Sequence, residues 1–69
     1  MRLGELEKLI LQYFWNMGPA DAKQVFSYFE KKRGGTLNTI QSTLDRLFKK
    51  GLLLREKEGH AFQYRAAVE

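Results

Sequence analysis

From Leu3 to Met17 the polar residues Glu5, Lys8, Gln12 and Asn16 recur at spacings of three and four, leaving Leu6, Leu9, Ile10, Tyr13, Phe14 and Met17 on the rest of the cylinder. That period predicts a first helix, ended by Gly18-Pro19, where glycine suits a left-handed cap and proline cannot continue the hydrogen-bond ladder. Asp21 followed by Gln24 has the spacing of a capping box, and Ala22, Val25, Phe26 and Phe29 then fall within about 100° of a helical projection. A second helix follows, closing at Lys31-Lys32-Arg33 and Gly34-Gly35. Cations in the last turn of a helix satisfy its dipole, so this basic run is read either as capping or as a partner contact. Asn38 with Gln41 predicts the cap of a third helix, whose apolar stripe is Ile40, Leu44, Leu47 and Phe48 and whose end is Lys49-Lys50-Gly51.

After Gly51 the period shortens. Leu52 to Lys57 and His60 to Arg65 are short runs flanking Glu58-Gly59, which predicts a β-hairpin. Glu-Gly is a weaker turn former than Asn-Gly, so the loop is two or four residues long; a two-residue loop sets Leu53 opposite Tyr64 and Arg55 opposite Phe62. A lone hairpin is marginal in water, so its apolar face must dock on the helices.

Sixty-nine residues make one domain, 1–69, and 43% hydrophobic with 29% charged residues is an ordinary globular balance. With no cysteine there is neither a disulfide framework nor a thiolate metal site, which fits a cytoplasmic setting. The longest uncharged stretch, Leu9 to Ala20, is 12 residues interrupted by Gln12, Asn16, Gly18 and Pro19, too short to span a bilayer. Glu5 and Glu7 sit where a secretory signal needs a basic lead, so the start is expected to belong to the domain. A core of this size rarely supplies more than roughly 3 to 5 kcal/mol, so the nine aromatic residues are expected mainly in burial.

Little remains for catalysis. The chain has one histidine, no cysteine and eight scattered carboxylates. His60 sits beside the hairpin tip, where it reads as a solvated or phosphate-facing side chain rather than a general base. Glu56 and Glu58 around Lys57 read as a solvated strand end, and Gly34-Gly35 lacks the spacing and the preceding strand of a phosphate loop. No enzyme, no cofactor and no metal site is expected.

The third helix is the informative segment. Opposite its core stripe lie Asn38, Thr39, Ser42, Asp45, Arg46 and Lys49, with Gln41 at one edge. Short hydrogen-bonding groups in the first turns and cations in the last are what a helix lying in the major groove requires. A solvated surface helix has a similar composition, and Asp45 fits it, although Lys49 four residues on neutralises that carboxylate. Residues 1–17 carry no net charge, 18–35 carry +2 and 36–65 carry +3, within a total of +4 and a pI near 9.6. A polyanion partner fits that excess. Three helices followed by a hairpin form an α+β, mostly α, architecture: a winged helix-turn-helix. The expected base contacts are Asn38, Thr39, Gln41 and Ser42, and the expected backbone contacts are Arg46, Lys49 and Lys50 with Arg55, Lys57 and His60 on the wing. The fold also serves as a protein-interaction module without nucleic acid, which would need an apolar patch on the third helix or the wing.

The sequence also resembles the penicillinase-repressor family of transcriptional repressors, which includes the BlaI- and MecI-type β-lactam resistance repressors and the CopY-type copper repressors. The similarity runs over nearly all 69 residues, through Leu3-Gly4-Glu5-Leu6-Glu7, Trp15, Gly18-Pro19-Ala20, the run from Asn38 to Leu47, Lys50-Gly51-Leu52 and Phe62-Gln63-Tyr64. The resemblance implies a repressor DNA-binding domain that reads half of a palindromic operator, with Thr39, Gln41 and Ser42 at recognition positions and Arg46 at a backbone position. Family members continue into a helical dimerisation region, whereas this chain ends at Glu69. It is therefore expected either as an isolated DNA-binding domain, homodimeric only with such a C-terminal region, or as a short relative that dimerises differently or not at all. Trp15 is expected to pack at the end of the first helix.

Overall fold

The computed structural model describes residues 3–67. Helix α1 spans Glu5–Met17, α2 Ala22–Arg33 and α3 Leu37–Lys49, while strands β1, β2 and β3 span Ala20–Asp21, Leu53–Glu58 and Ala61–Ala66. Three helices and a hairpin appear in the expected order and form a winged helix-turn-helix.

Helix α1 begins at Glu5 rather than Leu3 because the Gly4 N–H donates to the Glu7 carboxylate at 2.8 Å, fixing Gly4 as its cap. Helix α2 starts as expected: the Gln24 N–H donates to Asp21 at 2.8 Å and the Asp21 N–H to the Gln24 side chain at 2.9 Å. Helix α3 is capped by Thr36, not Asn38. Extended backbone at Thr36 lets its hydroxyl accept the Thr39 N–H at 3.2 Å, which draws Asn38 into the first turn. The far end of α3 is a Schellman motif. Gly51, with φ +82, donates to the Phe48 carbonyl and Leu52 to the Leu47 carbonyl, each at 3.0 Å. That closure turns the chain directly into β2.

The sheet has three strands in the order β1-β3-β2, all antiparallel. Strand β1 was not expected from the sequence; two residues carry no period, and Ala20 and Asp21 pair with Tyr64 and Gln63 only because the chain passes there on its way into α2. The hairpin register also differs from expectation. Glu58 pairs with Ala61, so the loop is Gly59-His60, and Leu53 lies opposite Ala66 while Arg55 lies opposite Tyr64. Gly59 at φ +61 followed by a residue with negative φ has the sign pattern of a type II′ turn, which puts glycine first in the loop. The slip is two residues, so each side chain keeps its face. Arg55, Lys57, Phe62 and Tyr64 all remain on the side that meets the helices.

The core joins Ile10, Leu11 and Phe14 of α1, Val25 and Phe29 of α2, Ile40, Leu44 and Leu47 of α3, and Leu53 and Tyr64 of the sheet. Leu11 was not on the expected stripe but is buried, since α1 packs against both α3 and β3 and needs a wider apolar arc. Met17, the last residue of α1, overshoots that core and is exposed, while Trp15, expected to pack at the end of α1, is half exposed.

Candidate nucleic-acid interface

Burying Ile40, Leu44 and Leu47 fixes the rotation of α3 and therefore what it shows to solvent. Asn38, Thr39, Gln41, Ser42, Arg46 and Lys49 are exposed on that outward side. Asn38, Gln41 and Ser42 make no side-chain hydrogen bond among the described residues, so their donors and acceptors are available. The Thr39 hydroxyl lies 3.1 Å from that of Thr36, within the cap. Buried Thr43 donates to the Thr39 carbonyl at 2.8 Å and accepts from the Arg46 guanidinium at 3.2 Å, which holds Arg46 along the edge of the helix.

The charged residues divide into those facing outward and those committed within the molecule. Lys49 pairs with Asp45 at 3.0 Å, one turn away, and remains largely exposed. Arg55 reaches the same carboxylate at 3.5 Å. These cations hold the Asp45 carboxyl below its ordinary value, the Lys49 hydrogen bond most of all. Arg55 itself lies between two rings: its guanidinium carbon is 4.0 Å from the centroid of Phe48 on α3 and 4.3 Å from that of Phe62 on β3. Lys50 turns the other way, donating to Glu7 at 2.8 Å, and Glu7 is only 7% exposed. The Lys50 hydrogen bond, followed by the Gly4 N–H, lowers the Glu7 carboxyl against the opposing effect of burial. Lys57 and His60 stand exposed on the wing and its tip.

Of the ten residues expected to meet a ligand, the fold thus groups Asn38, Thr39, Gln41, Ser42, Arg46 and Lys49 on one helix side, sets His60 across a cleft from Gln41 and leaves Lys57 exposed on the wing. It ties Lys50 to α1 and wedges Arg55 between α3 and the wing. A cleft of about 450 Å³ separates α3 from the wing and the start of α2, lined by Lys23, Gln41, Arg55, His60 and Phe62 among others. Lys23 is the residue that sequence reasoning missed here. Its place depends on how α2 meets the hairpin, and no spacing along the chain reports that.

Comparison with known proteins places the chain in a family. The sequence profile named for the penicillinase repressor matches residues 3–69. The transcriptional regulator BlaI of Mycobacterium tuberculosis is 31% identical over 64 residues, covering 91% of this chain and 46% of that protein. Overall, the chain spans under half the length of the curated relatives it matches. Among solved structures, the DNA-binding domain of the repressor BlaI superposes with a TM-score of 0.89 at 28% identity, covering 99% of this chain and 83% of that one. The Bacillus licheniformis BlaI monomer in complex with the blaP half-operator superposes at 0.81, also at 28% identity, covering 100% and 84%. Its sequence matched nearly end to end and its three helices and wing reproduced in both of those structures, the chain belongs to the penicillinase repressor family.

Proposed function

We propose that this chain is the sequence-specific double-stranded DNA-binding domain of a transcriptional repressor, reading an operator half-site with α3 and gripping the backbone with the wing. The outward side of α3 carries the reading: Asn38, Gln41 and Ser42 are exposed in its first turns, Lys49 in its last, and none of these is apolar. Short donors and acceptors suit base edges, and longer cations suit phosphates. Thr39 belongs to the base-reading set, while Arg46, Lys49, Lys57 and His60 hold phosphates, joined by Lys23 across the cleft. Lys50 and Arg55 hold the protein together instead. The likeness to a BlaI monomer on its half-operator supports this reading. It implies no catalysis, no cofactor and a cytoplasmic location, and among the described residues no helix is long and apolar enough to cross a membrane. Two copies would occupy a palindromic operator, coupled through a C-terminal region of the kind the family carries.

A protein-interaction module would instead show an apolar patch on α3 or the wing. The outward side of α3 has none, and of the exposed wing residues Leu54 and Phe62, Phe62 is engaged by Arg55. The test is to titrate the chain against a pool of random duplexes at two salt concentrations and sequence the bound fraction. Each good base contact is worth about 1 to 3 kcal/mol, so Gln41→Ala and Ser42→Ala should reduce discrimination between the enriched sequence and a scrambled one. Lys57→Ala should weaken both equally and flatten the salt slope by up to about one unit. Equal effects of Gln41→Ala and Lys57→Ala on both duplexes would overturn the division of roles, and absence of binding at low salt would overturn the function.

A further inference from the structure

We infer that Arg55 is a positioning residue: a clamp that fixes the wing against α3, and with it the placement of Lys57 and His60 relative to Gln41 and Ser42. The inference rests on the DNA-binding reading and adds to it how the two halves of the interface are held in register.

Three observations converge on the one side chain. Arg55 projects from β2 with its guanidinium 4.0 Å from the Phe48 ring of α3 and 4.3 Å from the Phe62 ring of β3. Its edge reaches Asp45 of α3 at 3.5 Å. The side chain is 26% exposed, so most of the group is withdrawn from solvent. A planar, delocalised cation can meet rings and a carboxylate in this way, whereas an ammonium cannot stack and stays hydrated. One residue thereby links β2, β3 and α3.

The wing needs such a link. Strand β1 pairs only with Tyr64 and Gln63, so from Phe62 through the Gly59-His60 loop to Lys57 the hairpin has no further strand beside it. Two-stranded ribbons are marginal in water without a packing partner. Arg55 pairs with Tyr64, in the last two-sided part of the sheet, two pairs below Lys57 and Phe62, and its guanidinium reaches past that boundary to the Phe62 ring. Loosening it frees the tip that carries Lys57 and His60. Because the Arg55 charge already faces Asp45, a phosphate would have to compete with that carboxylate for it.

The discriminating variant is Arg55→Lys, which keeps the charge and loses the stack. Phe62→Leu removes one ring and leaves every charge in place. Each is compared with the unmodified chain by ¹⁵N relaxation of the wing amides without DNA, and by binding to a random-sequence duplex between about 50 and 200 mM salt. The clamp predicts lower heteronuclear NOE values at residues 58–61 in both variants, with the helix amides of α1 to α3 unchanged as proof of folding. It also predicts that Lys57→Ala, which flattens the salt slope by about 0.9 in the unmodified chain, flattens it by less than half as much in the Arg55→Lys background. Unchanged wing relaxation in both variants overturns the clamp. So does a full, additive effect of Lys57→Ala beside Arg55→Lys, the result expected if Arg55 were itself a phosphate ligand. If the unmodified chain binds no duplex, the DNA-binding reading fails while the relaxation measurement still decides the clamp.

Discussion

Glu7 occupies an unusual position for a carboxylate in so small a domain. Its two oxygens accept from the Gly4 N–H and from Lys50, each at 2.8 Å, so one side chain caps α1 and ties that helix to the end of α3. Removing a buried acceptor leaves its donors without a partner, and Glu7→Ala should cost about 1 to 3 kcal/mol in chemical denaturation. The pH dependence follows from the sign of the shift. The Glu7 carboxyl lies below its ordinary 4.5, so the folded state favours the ionised form. Its contribution is complete above that value and is lost as the pH falls below 4.5 through the folded-state value. Melting curves recorded down through this range should show a steeper acid loss for the natural chain than for Glu7→Gln; parallel curves would remove the ion pair from the account. The sequence did not reveal this pair. In the sequence Lys50 closes a helix in a basic run and so reads as a phosphate contact, while its partner lies 43 positions earlier, far outside the three- and four-residue spacings at which helical neighbours can be read.

Among the elements, those with a long period were legible and those set by one or two residues were not. The apolar stripes of α2 and α3 reappear as Val25, Phe29, Ile40, Leu44 and Leu47 in the core. The cap of α3 moved from Asn38 to Thr36, because both are good capping residues and only the path of the preceding Gly34-Gly35 decides which is extended. The wing turn moved for a similar reason: glycine fits either loop position, and only the fold shows that Gly59 comes first. Gly59 offers a clean test because a Cβ there would meet nothing within 4 Å, so any cost of substitution is conformational. At φ +61, Gly59→Ala should lose about 1 to 2 kcal/mol, and a domain of this size shifts its melting temperature by about 4 to 8 °C per kcal/mol. D-alanine, introduced by chemical synthesis, prefers positive φ and should melt at or above the natural chain. Equal losses for the two enantiomers would show that the turn does not demand this conformation.

For the molecule as a whole, charge and size together set what one copy can achieve on a duplex. The net charge of +4 is modest and the excess lies outside the residues of α1; on the proposed reading, one α3 addresses one half-site. The longest principal extent is 32 Å, comparable with the spacing of about 34 to 36 Å between half-sites one helical turn apart. Joining two copies adds no contact and changes only the effective concentration of the second copy. A flexible linker spans roughly 5 to 6 Å times the square root of its length, so about 40 residues match the gap between half-sites. On a duplex carrying two copies of the enriched sequence one turn apart, a tandem fusion with that linker should bind about 10² to 10⁴ times more tightly than the single chain. On a duplex with one copy the two proteins should differ by no more than the statistical factor of two binding units. Equal affinities on the paired sites would mean that the two units cannot engage together at this spacing, and would overturn the side-by-side arrangement of two copies.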